Sequence, residues 1–217
     1  MYKFPRSAYV HIPFCHRRCF YCDFAVIPLG NNIESLNGYG SKTVKDYLSY
    51  LKKEILSIKH KSPLSTIYIG GGTPSILNPL QIKELINLFK KNYKIDYGAE
   101  ITMEVDPASF NEDDLHGFIK AGINRFSLGA QSFNNQILEQ AGRRHCDKDV
   151  EKSCFWLKRA HDYGLIKSWS LDLIQNLPSS GFKEWQEDLE KSLKFCPPHI
   201  SIYDLSIENG TVFKKLV

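Results

Sequence analysis

The sequence predicts an α/β fold: six strand–helix units wound into a partial barrel, with a parallel sheet curved around a polar cavity. Three observations carry this. Strand-like and helix-like stretches alternate along the chain, as they do where parallel strands are joined by crossover helices. The strands alternate polar and apolar residues, whereas a sheet covered on both faces shows near-continuous apolar strands. Residues suited to chemistry gather just past the strand ends, where α/β barrels and open parallel sheets build their sites.

Each element follows from local pattern. The first strand is Ser7–Ile12, with Ser7, Tyr9 and His11 opposite Ala8, Val10 and Ile12. Val44, Leu48, Leu51, Ile55 and Ile58 recur at helical spacing and predict a helix over Lys42–His60, with Ser41 as its N-cap. The strand Thr66–Ile69 follows. Asn78, Pro79 and Gln81 form a start signal for the helix Pro79–Asn92. In the strand Glu100–Val105, Thr102 and Glu104 oppose Ile101, Met103 and Val105. Asn111 caps a helix over Glu112–Ala121 and Gly122 ends it. The strand Arg125–Leu128 precedes a short helix Asn134–Gln140 and a longer one, Asp147–Tyr163, which stops at Gly164. Ser168, Ser170 and Asp172 oppose Trp169, Leu171 and Leu173 in the strand Ser168–Leu173. The helix Phe182–Lys194 carries Trp185, Leu189 and Leu193, and Pro197 and Pro198 break it before the last strand, His199–Leu205. One face of this sheet is apolar and helix-covered; the other is polar.

The composition suits one core. A chain of 217 residues, 42% of them hydrophobic, buries roughly 70% of its unfolded surface, so no metal or disulfide is needed merely to hold it together. No apolar run approaches the ~20 residues of a membrane span. Residues Met1 to Ser7 lack the apolar core of a signal peptide, and a cytoplasmic protein is expected. The net charge is +4, with Lys and Arg spread along helices. No basic stripe marks a nucleic-acid partner.

Cysteine spacing is more informative. Cys15, Cys19 and Cys22 fall within eight residues; Cys146, Cys154 and Cys196 are scattered and read as free thiols, Cys154 in the core. Clustered cysteines in a reducing compartment bind metal or do redox chemistry. Zinc would take a fourth ligand, with His11 or His16 as candidates. An iron–sulfur cubane would use three cysteines and leave one iron open. Spacing alone leaves both possible. The triplet follows the first strand, and Gly70-Gly71-Gly72-Thr73-Pro74 follows the second. Glu104 and Asp106 end the third, Gln131 follows the fourth, Asp172 is late in the fifth and Glu208 follows the sixth. Glycine suits a backbone that must approach a ligand closely.

At this point the sequence resembles a known group. Tyr9-Val-His-Ile-Pro-Phe-Cys15-His-Arg-Arg-Cys19-Phe-Tyr-Cys22-Asp-Phe looks like the radical S-adenosylmethionine (SAM) superfamily. More narrowly, it is similar to the branch of oxygen-independent coproporphyrinogen III dehydrogenase and the HemW-type haem chaperones. Ile69-Gly-Gly-Gly-Thr-Pro-Ser75, Glu104-Val-Asp-Pro107, Asn124-Arg-Phe-Ser-Leu-Gly-Ala-Gln131-Ser-Phe, Gly142-Arg143, Asp172-Leu-Ile and Ser201-Ile-Tyr-Asp-Leu recur in that branch in order. The resemblance covers nearly the whole chain and implies a partial (β/α)6 radical SAM barrel.

It also implies roles. Cys15, Cys19 and Cys22 would ligate a 4Fe–4S cluster, whose open iron takes the methionine end of SAM. Gly71, Gly72 and Thr73 would run beside the methionine amino group. Tyr9, Tyr21, Glu104, Gln131, Arg143 and Asp172 match family positions that contact SAM. The implied chemistry is one-electron cleavage of SAM to a 5′-deoxyadenosyl radical, fed by a flavodoxin-like or ferredoxin-like reductant. Two departures matter. Dehydrogenase members carry a fourth cysteine where Phe24 stands here, which favours the chaperone-like branch, with haem as a further ligand and a haem-acceptor protein as partner. The branch pattern Asp-Leu-Ile-Tyr-Gly-Leu-Pro reads Asp172-Leu-Ile-Gln175-Asn176-Leu-Pro178, and loss of the glycine puts the turn's geometry in question. The alternatives are a coproporphyrinogen III dehydrogenase, a zinc-binding scaffold and an inactive fragment. Family members continue past the sixth strand, so residues 1–217 are expected to be the radical SAM core domain with the C-terminal domain missing.

Overall fold

A computed structural model describes residues 5–30, 42–58 and 62–216. In chain order the strands and helices are β1 (Ser7–Ile12), β2 (Phe14–Cys15), β3 (Ile27–Pro28), α1 (Lys42–Ser57), β4 (Leu64–Gly71), α2 (Pro79–Asn92), β5 (Ile95–Val105), α3 (Glu112–Ala121), β6 (Arg125–Gln131), α4 (Asn135–Gln140), α5 (Asp147–Asp162), β7 (Ser168–Gln175), α6 (Phe182–Lys194), β8 (His199–Asp204) and α7 (Val212–Leu216). A 3-10 turn covers Pro74–Ile76.

Six strands form one sheet in the order β1-β4-β5-β6-β7-β8, and every pair is parallel. Strand order therefore follows chain order without reversal. With right-handed crossovers, such an order puts the helices on one side and curves the sheet as a barrel segment. A doubly wound sheet would reverse direction at a switch point. The predicted partial barrel is the fold observed.

The apolar strand faces make the core. Ile12, Ile67, Ile69, Met103, Phe126, Leu128, Trp169, Leu171 and Leu173 are fully buried, and Ile82, Ile86, Leu115, Phe118, Val150 and Leu157 reach them from the helices. Burying each such side chain contributes about 1.5–3 kcal/mol before entropy is counted. The rule fails at β8, where Ile202 is 51% exposed. This strand is the sheet's edge, and its outer face lies open among the described residues.

Most boundaries match the sequence pattern, and α2, α3 and α6 match at both ends. At α2, Gln81 N–H donates to Asn78 Oδ1 (3.0 Å) while Asn78 N–H donates to Gln81 Oε1 (2.9 Å), the reciprocal cap its spacing predicts. Asn134 caps α4 from outside it, and α5 stops one residue short of Tyr163. The helix α1 runs to Ser57; Ser41 and His60, expected at its ends, lie outside the described residues. Strand β5 extends back to Ile95 through Gly98 (φ +81°), five residues before the expected start at Glu100. The short strands β2 and β3 and the helix α7 carry too few residues to show a period.

Two small assemblies hold loops at the sheet's carboxyl end. Asp188 of α6, 2% exposed, accepts from Phe133 N–H and Ser132 Oγ–H, both at 2.6 Å. It ties α6 to the segment just past β6. Burial pushes its carboxyl up, and Ser132 and Phe133 only partly pull it back. The second assembly is a minor core of Ile137, Ala141, Ile174, Leu177 and Phe213, with Phe20, Tyr21 and Leu205 against it. Phe20 N–H donates to Ala141 O (3.0 Å), and Phe213 N–H donates to Phe20 O (3.1 Å). The Phe20 and Phe213 rings meet edge-on at 6.4 Å. The cysteine segment is thereby tied to both α4 and α7.

Asp188→Ala strips buried donors of their acceptor and should cost about 2–3 kcal/mol, whereas Asp188→Asn, which keeps the acceptor for Phe133, should cost less than about 1 kcal/mol. Denaturant melts check both. Because the folded carboxyl is raised, its stabilising neutral form is fully present below the unfolded pKa of about 4 and is lost as pH rises through the folded value. Acidification from neutral pH should therefore move the stability gap between the parent and Asp188→Asn in the parent's favour. Phe213→Ala should cost about 3 kcal/mol in the same melts; an unchanged midpoint would show that α7 does not brace the loop.

Candidate functional site

The carboxyl ends of the strands surround a cavity of about 450 Å³, within the range of small-molecule and cofactor sites. Its walls bring together Cys15, Cys19, Tyr21 and Cys22 from the loop after β1, Gly71, Gly72 and Thr73 from the end of β4, and Glu104 from β5. Gln131, Arg143, Asp172 and Glu208 complete it from the far strands and loops. Of the residues matched to the cluster and SAM, Tyr9 stands back from the cavity. It is 60% exposed, stacks on Tyr68 at 6.1 Å and bonds to His11 Nδ1 at 3.0 Å.

The cysteine loop is shaped by main-chain bonds. Ile27 N–H donates to Pro13 O (2.6 Å) and Leu29 N–H to Cys15 O (2.8 Å). Arg18 closes the far side, donating to Cys22 O (3.1 Å) and Phe24 O (2.6 Å). From the neighbouring strand, Gly72 N–H donates to Ile12 O (2.8 Å) and Thr73 N–H to Phe14 O (2.7 Å). A side chain at Gly72 would land 2.7 Å from Phe14 O and 2.8 Å from Cys15 Sγ, so only glycine lets these two segments meet.

The three thiols are free and half-buried. Burial pushes the Cys15 thiol up to about 11, against a lowering by the Thr73 hydroxyl, and it also raises Cys22. A bound metal reverses that preference by stabilising the thiolate. Two donors already face the sulfurs: Thr73 Oγ1 toward Cys15 Sγ (3.5 Å) and Arg143 Nη1 toward Cys19 Sγ (3.3 Å). Three soft sulfurs beside a close backbone, with donors aimed at them, fit an iron–sulfur cluster. The zinc alternative has less support. Among the described residues no three His, Cys, Asp or Glu side chains converge on one ion position. His11 is bonded to Ala25 O and Tyr9, and His16 to Gly30 O.

The carboxylates differ in environment. Glu104 accepts from Tyr68 O–H (2.8 Å) and Gly71 N–H (3.0 Å), which pins the glycine turn to β5. Burial raises its pKa, with Tyr68 and Gly71 pulling down. Asp172 accepts from Ser127 Oγ–H (2.7 Å) on Oδ2, while its buried Oδ1 has no hydrogen-bond partner. Burial raises Asp172 too, with Ser127 and Ser201 opposing. Raised carboxylates on a cavity wall, one of them with an unpartnered oxygen, suit the hydroxyls and amino group of a nucleoside-like ligand. Asp106 goes the other way. Burial would raise it, but Arg143 and His145 outweigh that and hold it well below the usual carboxylate range.

Arg143 is the hub. Its Nη1 faces Cys19 Sγ and Tyr21 Oη, both at 3.3 Å. Its Nη2 donates to Gly129 O (2.9 Å) and, in a short contact, to Asp106. Gln131 sits at a register shift between β6 and β7 with φ +69°. This bulge ends regular pairing beside the cavity. Past β7, Asn176 adopts φ +62° and donates to Asp204 Oδ1 (2.6 Å). Asparagine tolerates the left-handed region, so the turn forms without the glycine expected there. Sequence reasoning missed Asp106 as Arg143's partner, His145 and Tyr68 altogether. Glu104 and Asp106 share a strand face by alternation, which was the available signal for Asp106.

Comparison with known proteins agrees with this geometry. Residues 9–191 match the radical SAM superfamily. The chain is 39% identical over 215 residues to "Heme chaperone HemW" of Synechocystis sp., covering 99% of this chain and 50% of that protein. It is 36% identical over 214 residues to "Heme chaperone HemW" of Lactococcus lactis, covering 98% and 52%. In structure it is similar to coproporphyrinogen III oxidase (HemN) from Escherichia coli, with TM-score 0.80, 26% identity, and coverage of 97% of this chain and 51% of that one. The chain spans about half the length of the curated relatives it matches. A six-stranded partial barrel, a cysteine triplet at its mouth and a superfamily match over most of the sequence lead to one conclusion: the chain belongs to the radical SAM superfamily.

Proposed function

We propose that this chain is the cluster- and SAM-binding part of a HemW-type haem chaperone, which passes haem to an acceptor protein. The carrying observation is Phe24. It lines the cavity and is 61% exposed, at the position where the dehydrogenase branch has its fourth cysteine. The naming of the relatives from Synechocystis and Lactococcus supports the same reading.

In this reading Cys15, Cys19 and Cys22 hold a 4Fe–4S cluster, and Gly71, Gly72, Thr73, Glu104, Gln131 and Asp172 surround SAM. When bound and reduced, the cluster supplies a single electron to SAM. The protein's own part is to bind, orient and shield. The glycine turn brings bare main chain to the ligand. Glu104 and Asp172 offer acceptors, and Arg143 offers a fixed cation beside Cys19. Tyr21, walling the cavity and pushed up in pKa by burial, stays a neutral phenol. The electron donor is a flavodoxin-like or ferredoxin-like protein. No helix among the described residues is long and apolar enough to cross a membrane, and six free thiols suit the reducing cytoplasm.

A second reading is oxidative decarboxylation of coproporphyrinogen III, favoured by the 0.80 TM-score to the E. coli oxidase. One anaerobic experiment separates the two. The reconstituted chain is incubated with SAM, reductant and either haem or coproporphyrinogen III. Tight haem binding without vinyl product is expected; vinyl product would select the second reading.

Anaerobic reconstitution should give a broad visible absorption that dithionite bleaches. Replacing Cys15, Cys19 or Cys22 with alanine should abolish it, and bound zinc without iron would end the cluster reading. Glu104→Gln removes the charge and one of the two acceptor oxygens held by Tyr68 and Gly71, and should weaken SAM about tenfold, or ~1.4 kcal/mol, with iron content unchanged by assay. Burial raises both Glu104 and Asp172. SAM affinity should therefore start to fall on acidification above the ordinary carboxylate range of about 4, as a calorimetric pH series would show.

A further inference from the structure

Asp106, partly buried, and His145, buried, are polar groups with no assigned part in ligand binding. Both face Arg143. The Asp106 side chain is 22% exposed and pairs with Arg143 Nη2. The His145 side chain is fully buried. Its Nε2 bonds to Ala130 O at 3.0 Å, and a backbone carbonyl only accepts, so Nε2 carries the proton. Its Nδ1 lies 3.6 Å from Asp106 Oδ2 and 3.5 Å from Arg143 Nη2. Gly129 O supplies a second acceptor for Nη2 at 2.9 Å. One end of the guanidinium is thus gripped by a carboxylate and a carbonyl, with the His145 imidazole set against the carboxylate. The planar fork then fixes where the other nitrogen points, and Nη1 lies 3.3 Å from Cys19 Sγ.

We infer that Asp106 is a positioning residue that sets the reduction potential of the cluster by holding Arg143 Nη1 against Cys19 Sγ, with His145 as the second brace. This rests on the cluster reading given above. Hydrogen bonds and positive charge at a ligating sulfur favour the reduced, more negative cluster, and so raise its potential. Arg143 supplies both. A carboxylate acting only as a nearby negative charge would do the reverse, and its removal would raise the potential. The two roles therefore predict opposite signs.

Potentials are measured on the full chain after anaerobic reconstitution with iron and sulfide, without SAM, by redox titration. Asp106→Ala frees Arg143 and should lower the potential, shifting the reduced-to-oxidised ratio about tenfold, or ~59 mV for one electron. Arg143→Met should lower it as well. Asp106→Asn keeps an oxygen for Arg143 Nη2 and should not fall below the parent. Asp106→Ser, too short to reach Arg143, makes the same comparison if the alanine variant does not fold. Equal rises in Asp106→Ala and Asp106→Asn would show a bystander charge and overturn the inference, as would no shift in either. Iron and sulfide counts on the unsubstituted chain come first. No cluster there sinks the cluster reading itself, whereas a cluster whose potential ignores Asp106 sinks only this inference.

Discussion

The site depends on one close approach, between the glycine turn after β4 and the cysteine strand after β1. Gly72 and Thr73 donate main-chain hydrogens to Ile12 and Phe14, which continues β1–β4 pairing past the regular strand ends. A Cβ at Gly72 would strike both the Phe14 carbonyl and Cys15 Sγ. A Cβ at Gly71 would stand 2.8 Å from Ile12 O, on a backbone with φ +121°. Neither obstacle is the end of a flexible side chain at the main-chain contacts, so repacking offers no relief. Because the turn is fixed on Cys15, and Glu104 is fixed on the turn through Gly71 N–H, β1, β4 and β5 meet the cavity in a set relation.

The cysteine loop is also held from the opposite side. Phe20 reaches Ala141 and Phe213 through its main chain, and its ring lies where a Cβ of Gly142 would fall. Arg17 donates to Arg143 O in a short contact. The loop therefore spans from the first strands to the segment after α4. This explains how an arginine more than a hundred residues away arrives at Cys19. The sheet sets the height of the loop, and the minor core sets its reach across the mouth.

How much of this was legible depended on the range over which each signal acts. The start signal of α2, the Asn111 cap of α3 and the αL glycine after α3 are local events within four residues, and they read correctly. Strand faces also read correctly wherever a helix covers them, because alternation records burial. At β8 the same alternation misled: Ile200 and Ile202 have the apolar pattern, yet Ile202 is exposed at the sheet edge. Alternation reports what a face can bury, not whether a neighbour is there. Tyr9 shares the face of His11 but sits too early on its strand to reach the cavity. The partnership of Asp106 with Arg143 spans 37 positions, and no local pattern contains it.

Three carboxyls on one cavity wall have been given different electrical characters. Glu104 and Asp172 are buried among hydroxyls and a single backbone amide, partners too weak to repay desolvation, so both are raised. Asp106 stands two residues on from Glu104, just past the end of β5, and is partly enclosed as well. Burial alone would raise it too. The guanidinium of Arg143 decides the outcome, because a full charge in a poorly solvated site outweighs the loss of water where a hydroxyl does not. Asp106 is therefore committed to its cation and is not free to meet a ligand, while Asp172 keeps one oxygen unengaged. Environments that separate like groups in this way divide labour between them. Here the low carboxylate serves the arginine beside the sulfur, and the raised ones are left to face the cavity.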